Sequence, residues 1–281
     1  MVSPSQRRRA VLMLVDRLGL SQRRACLITG QHRSTQRRTP PRGDRDDDLR
    51  SRLREISAEH LRWGYRKAWA LLRQDGWHVN RKRVQRLWRE EGLRVPARRR
   101  KRRRVGTSTG PAGLLRATRV DEVWPLDFQF DTTSDGRVVK LLHIIDEHPR
   151  EALTILVERR IDADRVVEEL KRLVTMRGAA PAFIRMDNGP ELTANLIREW
   201  CASSGTKTTY IEPGSPWQNP FVESFGSHVR DEVLAVEVFD SLLEAQVVIE
   251  DWRITYNTIR PHSSLDWKPP SVYADACRRG L

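Results

Sequence analysis

The chain has 281 residues, of which 51 are Lys or Arg and 37 are Asp or Glu, so its formal net charge is +14. A hydrophobic fraction of 38% with nine tryptophans excludes a disordered chain, and three widely spaced cysteines exclude a disulfide framework. No apolar run approaches about 18 residues, which excludes a membrane-spanning protein and predicts a cytoplasmic location.

The basic residues are concentrated at the start of the chain. Residues 1–105 hold 31 Lys or Arg against 10 Asp or Glu, whereas the remainder holds 20 against 27. A basic half joined to a mildly acidic half predicts a polyanion-binding region in front of a separate core that uses carboxylates. The alternative is a solvated basic surface, which the clustering disfavours.

Helical patterns fill the basic part. Residues 1–38 predict short helices separated by Gly19, a weak helix-turn-helix signal. Residues 46–95 predict a stronger unit of three helices, in which Asn80 caps the last one. An apolar stripe on that last helix leaves the bases on its exposed face, as in a recognition helix. Predicted DNA contacts on this helix are Arg81, Arg83 and Arg86; a basic surface helix in an all-α domain is the alternative.

Residues 96–118 predict a basic linker. Its seven consecutive bases, 98–104, repel one another and should stay extended until they meet a polyanion. A eukaryotic nuclear-localisation signal would look similar, but the rest of the chain has a prokaryotic character.

The pattern changes to strands at Val120, and residues 119–276 predict a separate α/β core. Three strands are predicted over 124–130, 137–146 and 152–158. Helices and strands then alternate up to a last long helix that begins at the capping box Ser241-x-x-Glu244. Three meander strands followed by alternating helices and strands is the order of a ribonuclease-H-like core.

Three acids stand in suggestive positions. Asp127 lies in a strand opposite an apolar row (Trp124, Leu126, Phe128, Phe130), Asp187 ends a strand before an Asn-Gly turn, and Glu223 opens a helix 36 positions later. Carboxylates without neighbouring His or Cys suit hard divalent ions that activate phosphodiester chemistry.

Each acid also has an ordinary explanation. Asp131 or Asp146 could replace Asp127, Asp187 could cap its turn, and Glu223 could be an N-terminal charge favoured by the helix dipole. The three acids at this spacing favour a shared site over these separate explanations.

Four motifs carry a family resemblance. They are Trp124-Pro-Leu-Asp127, Asp187-Asn-Gly-Pro-Glu, Asn219-Pro-Phe-Val-Glu223-Ser-Phe, and Tyr256-Asn257 with Arg260-Pro-His-Ser-Ser-Leu265. In this order they resemble the retroviral-type integrase core of bacterial transposases, specifically the second-reading-frame product of the insertion-sequence-three family. The chain departs from that pattern at Gly226-Ser227-His228, where Asn-Gly-base is usual, at Met186, and at His148-Pro149.

The resemblance implies a DDE transposase whose catalytic and metal-binding residues are Asp127, Asp187 and Glu223, holding two Mg²⁺ or Mn²⁺ ions. It implies 3′-end cleavage of DNA and strand transfer, with element ends and target DNA as partners. It also implies a homo-oligomer on DNA and a fusion or complex with the upstream-frame product. Further DNA contacts are expected at Asn188, Asn219 and Arg230, the last because it follows Glu223 by two helical turns.

Two other functions remain open from the residues. One is a ribonuclease-H-type nuclease that stops after hydrolysis, which the Asn219–Arg230 motif and the helical units disfavour. The other is a non-catalytic DNA-binding regulator, which the three acids disfavour.

Overall fold

The computed structural model describes residues 4–37, 46–93, 116–186, 195–210 and 219–280. The chain divides into two compact units, Met1–Glu55 and Ile56–Leu281. The predicted boundaries followed the linkers at 39–45 and 96–118, whereas the division falls within a helix. The second unit therefore contains both the last predicted DNA-binding helices and the predicted catalytic core.

The helices are numbered in chain order. They are α1 Pro4–Leu18, α2 Gln22–Thr29, α3 Arg33–Arg37, α4 Asp47–Glu59, α5 Tyr65–Gln74, α6 Arg81–Glu90, α7 Ala163–Arg177, α8 Asn195–Ser204, α9 Pro220–Val229, α10 Leu242–Thr258 and α11 Pro270–Arg278. The strands are β1 Val123–Thr132, β2 Val138–Asp146, β3 Glu151–Glu158, β4 Phe183–Met186 and β5 Lys207–Tyr210.

The first unit is a small helical cluster. Its α2 begins after Ser21, whose hydroxyl accepts a hydrogen bond from Arg24 N, and ends at Gly30 in the left-handed conformation. Val11 of α1 packs with Ala25 and Cys26 of α2. The predicted helices on either side of Gly19 are therefore confirmed.

In the second unit, α5 and α6 form the predicted pair of helices. Asn80 Oδ1 accepts a hydrogen bond from Lys82 N at 2.8 Å and so caps α6. The apolar stripe of α6 is buried, as its spacing predicted: Val84, Leu87 and Trp88. Trp69 Nε1 donates to Val79 O at 3.0 Å, which ties α5 to the segment that precedes α6.

Charged contacts connect α5 to the rest of the second unit. Lys67 Nζ lies 3.0 Å from Glu232 Oε1. The guanidinium of Arg62, just before α5, donates hydrogen bonds to the main-chain oxygen and to the carboxylate of Asp231. Gln74 Nε2 donates to Trp267 O at 3.1 Å. Both ends of α5 are thus fixed to the part of the chain that carries Glu223.

The sheet has the order β3-β2-β1-β4-β5. Strands β1, β2 and β3 pair antiparallel, while β4 pairs parallel with β1, and β5 parallel with β4. A meander extended by crossover strands on its far side is the topology of a ribonuclease-H-like core, and the predicted α/β fold class is confirmed. None of the helices in the described ranges combines the length and apolarity that crossing a bilayer requires.

The two faces of the sheet carry separate apolar cores. Trp124 and Leu126 of β1 pack with α7 and α8. On the other face, residues of β2 and β3 pack with α9 and α10. Since successive side chains of a strand point to opposite faces, Asp127 and Gln129 face α9.

The predicted apolar row on β1 is shorter than expected. Phe130 is 56% exposed. Within the described residues, β4 pairs with 123–125, and no described strand lies beside the far half of β1 on that side.

Candidate active site

Asp127 lies in the middle of β1, directly opposite His143 of β2. It is half-buried, and its Oδ1 accepts a hydrogen bond from the following main-chain N–H of Phe128 at 2.9 Å. His143 is fully buried, and its Nε2 lies 2.8 Å from Gln129 Oε1. Burial lowers the pKa of His143 to about 3, so the ring is neutral beside Asp127.

Glu223 lies in the first turn of α9. Pro220 occupies the start of the helix, where its missing N–H costs nothing. Asn219, just before it, donates from Nδ2 to Leu126 O at 3.2 Å, and Glu223 N bonds Asn219 O at 3.3 Å. The turn that carries Glu223 is thereby fixed to the residue that precedes Asp127.

A second close approach joins α9 to β1 on the other side of Asp127. A Cβ placed on Gly226 would lie 3.3 Å from Gln129 Oε1 and 3.8 Å from His143 Cδ2. Only glycine allows the helix to pass this close without displacing a buried side chain. Contacts at Leu126 and at Gln129 therefore bracket Asp127, just as Asn219 and Gly226 bracket Glu223.

Glu223 has an exposed side chain whose carboxylate makes no hydrogen bond or ion pair with the described part of the chain. Partial burial raises its pKa above the ordinary value. A carboxylate held at the surface without a cationic side chain is suited to binding a metal ion, because no internal ion pair has to be broken.

The two alternative acids have different surroundings. Asp146 is fully buried and accepts hydrogen bonds from Asp121 N and from the Arg177 guanidinium. Burial raises the pKa of Asp146 to about 7. Asp131 pairs with Val139 towards the far end of β1. These positions favour Asp127 over both.

Asp187 and Asn188 lie outside the described residues. No group of three or more His, Cys, Asp or Glu side chains in the described ranges could hold a metal ion. The described strand β4 ends at Met186, and its buried Arg185 forms an ion pair with the equally buried Glu147.

The predicted DNA contacts fall in different settings. Arg230 is exposed, and its N–H bonds Gly226 O, so the α-helical register from Glu223 is kept before a π-helical turn begins at Arg230–Leu234. Asn219 is only 4% exposed and its amide nitrogen has a partner inside the protein, so its structural role is clear and its DNA contact stays a prediction.

On α6, Arg81 and Arg86 are exposed and Arg83 is half-buried. The Arg81 guanidinium lies 5.9 Å from the Trp69 ring centroid, and Arg86 lies 3.9 Å from the Glu90 carboxylate. Their roles as DNA contacts stay predictions.

Sequence reasoning missed two features of this region. The buried pair of His143 and Gln129, which supports the floor of the site, was assigned no role because the strand pattern does not show which polar residues meet across strands. Arg150 was not singled out at all. Its guanidinium carbon lies 3.6 Å from the centroid of the Phe221 ring, two residues before Glu223.

Comparisons with known proteins agree with this architecture. Two family models described as "Integrase core domain" match residues 117–216 and 204–270, and one described as "HTH-like domain" matches residues 44–102. The chain is 38% identical to the "Insertion element IS407 uncharacterized 31.7 kDa protein" of Burkholderia multivorans, covering 92% of each.

Two further relatives extend the comparison. The "Insertion element IS476 uncharacterized 39.2 kDa protein" of Xanthomonas euvesicatoria is 38% identical over 97% of this chain and 78% of that protein. The "Transposase InsD for insertion element IS2A/D/F/H/I/K" of Escherichia coli is 27% identical over 81% of this chain and 78% of that protein.

The integrase core models and the insertion-element transposase among the relatives define a polynucleotidyl transferase with an integrase-type catalytic core. Helices that match an HTH-like domain precede that core. The chain belongs to the insertion-sequence-three family of insertion-element transposases and is of the second-reading-frame type. It is a DDE transposase.

Proposed function

We propose that Asp127, Asp187 and Glu223 form the catalytic triad of this transposase. The observation that carries the proposal is the bracketing of Asp127 and Glu223 by the Asn219–Leu126 hydrogen bond and the Gly226–Gln129 contact. It brings acids from a strand and a helix to one side of the sheet.

The strand register supports the third member. Trp124 pairs with Ile184, and Pro125 pairs with Arg185, in the parallel ladder of β1 and β4. A ladder that kept this register for two more residues would bring position 187 beside position 127. Adjacent parallel strands carry side chains of equal register on the same face, so both carboxylates would face α9.

Carboxylate oxygens from three separate elements fit hard divalent cations, and we propose two Mg²⁺ or Mn²⁺ ions held by the triad. Such ions, when bound, would supply a nucleophilic oxygen and stabilise the leaving oxygen of an in-line displacement. The protein holds the ligands at a fixed separation, through the Asn219 hydrogen bond and the close approach at Gly226. We propose no covalent enzyme intermediate.

We propose that the enzyme cleaves the 3′ end of the element and joins the freed 3′-hydroxyl to target DNA. Arg81, Arg83 and Arg86 of α6 would read the element end, while Arg230, Asn188 and Asn219 would position DNA near the triad. The reaction would take place in the cytoplasm, on a homo-oligomer assembled on DNA, with the upstream-frame product fused or bound. The helical units of residues 1–38 and 46–95 would serve DNA binding, and residues 119–276 catalysis.

A DNA-joining assay tests the proposal. End-labelled element DNA, Mg²⁺ and target DNA are incubated with the full chain and with Asp127→Asn, Asp187→Asn or Glu223→Gln. Each variant should lose cleavage and joining while still binding DNA. Asp131→Asn, on the same strand, is the matched control and should stay active.

The outcomes separate the competing functions. Cleaved but unjoined products from the wild-type chain would favour a nuclease. Binding without any cleavage would favour a regulator. Joining at near-wild-type rates by one triad variant would remove that residue from the site.

A further inference from the structure

A cavity of about 540 Å³ lies next to the proposed catalytic acid. Its wall includes Ser224, which directly follows Glu223, together with the first turn of α5 and the segment 260–267. All of these elements belong to the second compact unit. The rim of the cavity is therefore one residue from Glu223, so DNA bound at Glu223 could also enter the cavity.

The cavity wall is basic. Of the described residues that line it, four carry a positive charge and none carries a carboxylate: the bases are Arg66, Lys67, Arg150 and Arg260. Lys67 and Arg260 share one buried partner, Glu232, so the positive charges outnumber the negative charge that balances them. The first turn of α5 adds N–H groups, because its N-cap Gly64 has no side-chain hydrogen bond to offer them.

Unlike Lys67 and Arg260, Arg150 has no salt bridge to an acid in the described ranges. Glu147, whose charge favours the ionised form of Arg150, is itself paired with Arg185. Its guanidinium stacks on the Phe221 ring at 3.6 Å, yet it makes no hydrogen bond or ion pair with the described part of the chain. Burial lowers its pKa, which reflects the cost of keeping this charge away from water. An anion would satisfy donors that the described residues leave unpaired.

The backbone at Arg150 is strained as well. Its φ is +61°, in the left-handed region that residues other than glycine rarely adopt. The turn between β2 and β3 would accept glycine more easily, so an arginine here is retained at a cost in stability. The stack on Phe221 holds the side chain at the cavity wall.

The size and lining of the cavity indicate the ligand. A paired duplex is too wide to enter a cavity of this volume, whereas a single nucleotide is within the size range of small-molecule pockets. The half-exposed rings of Tyr65 and Trp267 offer surfaces on which a base can stack, in the same cavity as the guanidinium that would bind its phosphate. Phosphate is present in paired and unpaired DNA alike, whereas only an unpaired nucleotide offers an unstacked base.

We propose that this cavity binds one unpaired nucleotide of the DNA end, with Arg150 as the ligand of its phosphate. The proposal rests on the proposed function only in that it places DNA at Glu223. Binding here would separate the strands next to the scissile bond and hold one of them while the other reaches the catalytic acids. Arg150 is a DNA-positioning residue in this account.

The test compares two labelled duplexes of equal length that share the same top strand. One is fully paired, and the other, the forked duplex, has two mismatched base pairs at its end. Binding is measured by fluorescence anisotropy in EDTA, so that no cleavage occurs. The wild-type chain should bind the forked duplex about ten- to a hundred-fold more tightly, the expected contribution of charge-assisted hydrogen bonds to one phosphate. Arg150→Gly and Arg150→Gln should abolish this preference.

Two controls separate the phosphate contact from folding and net charge. Arg150→Gly relieves the left-handed backbone, so it should not lower the thermal unfolding midpoint more than Arg150→Gln does. Arg160→Ala removes an exposed arginine beyond the opposite end of β3, whose eight residues span about 26 Å at the rise of a strand, and should keep the preference.

Equal affinity of the wild-type chain for both duplexes would overturn the proposal, as would an unchanged preference in the Arg150 variants. Inorganic phosphate and thymidine 5′-monophosphate are added as competitors. Loss of the preference with millimolar nucleotide but not with phosphate supports a nucleotide site, whereas loss with phosphate alone reassigns the cavity to a free anion. A wild-type chain that shows the preference but fails to cleave DNA with Mg²⁺ would refute the proposed function and leave this inference standing.

Discussion

Glu223 and Glu232 lie nine positions apart in α9 and the π-helical turn that follows it, yet their environments are opposite. Glu223 is exposed, has no cationic partner in the described part of the chain, and has a raised pKa. Glu232 has an 8% exposed side chain between Arg260 at 2.7 Å and Lys67 at 3.0 Å. Burial alone would raise the pKa of Glu232, but these two cations hold it well below its usual range.

The difference separates an acid that holds the protein together from an acid that is available to a ligand. Glu232 connects α5 and the segment after α10 to the π-helical turn, so its charge is neutralised by Lys67 and Arg260 within the protein. The carboxylate of Glu223 has no such partner in the described residues and is available to a ligand. Acids of one helix can thus divide between structure and function according to which cations reach them.

The largest expected effect is on catalysis at Glu223. Glu223→Gln should reduce DNA joining by more than about a thousand-fold, since the carboxylate is proposed to bind metal worth several kcal/mol of transition-state stabilisation. Its free energy of unfolding should not fall, because a raised pKa means that folding disfavours the ionised form. Joining rates and urea titrations check both parts. A clear loss of stability would show that Glu223 has a structural partner and would erase the contrast with Glu232.

Glu232→Gln should have the opposite effect, with a large loss of stability. Removing this charge leaves the buried Arg260 and the half-buried Lys67 without a counter-ion, and breaking a buried pair typically costs about 3–5 kcal/mol. Urea unfolding of the variant and of Glu237→Gln, an exposed acid nearby, measures the difference. A change below about 1 kcal/mol would mean that water replaces the carboxylate.

The pH dependence of stability should come next in size. Because the pKa of Glu232 is depressed in the folded protein, its contribution is fully present above the ordinary value of 4.5 and is lost as the pH falls below it. The stability difference between the wild-type chain and Glu232→Gln should therefore shrink between pH 5 and pH 3. Unfolding midpoints measured over that range test the sign. A difference that grows on acidification would contradict the assignment of the pKa direction.

The smallest effect is expected at Gly226, between the two acids. In Gly226→Ala the new methyl group would press on Gln129 Oε1, which is held by His143 and would have to move by a few tenths of an ångström. Overpacking and the better helix propensity of alanine should nearly cancel, giving a stability change within about 1 kcal/mol. Joining should still fall several-fold, because a displaced α9 carries Glu223 with it. Ser227→Ala, at an exposed neighbouring position, is the control, and equal rates in both variants would show that α9 tolerates the shift.

Much of the fold follows from local patterns. The strands of the meander, the capped helices α2, α6, α7 and α10, and the paired helices α5 and α6 were predictable because apolar spacing and capping residues act within a few positions. The positions of Asp127 in a strand and Glu223 in the first turn of a helix were predictable for the same reason. The exposure of Phe130 was not, because it depends on how far β4 extends along β1.

The amino-acid sequence by itself determined the order of elements, the basic front half and the acids of the proposed triad, since each is a property of neighbouring residues. Only the tertiary structure decided which charges meet. Lys67 reaches Glu232 across 165 positions and Arg260 reaches it across 28, and Arg150 meets Phe221 only because the β2–β3 turn lies against α9. The physical reason is that hydrophobic periodicity depends on residues a few positions apart, whereas the partner of a buried charge depends on how distant elements pack.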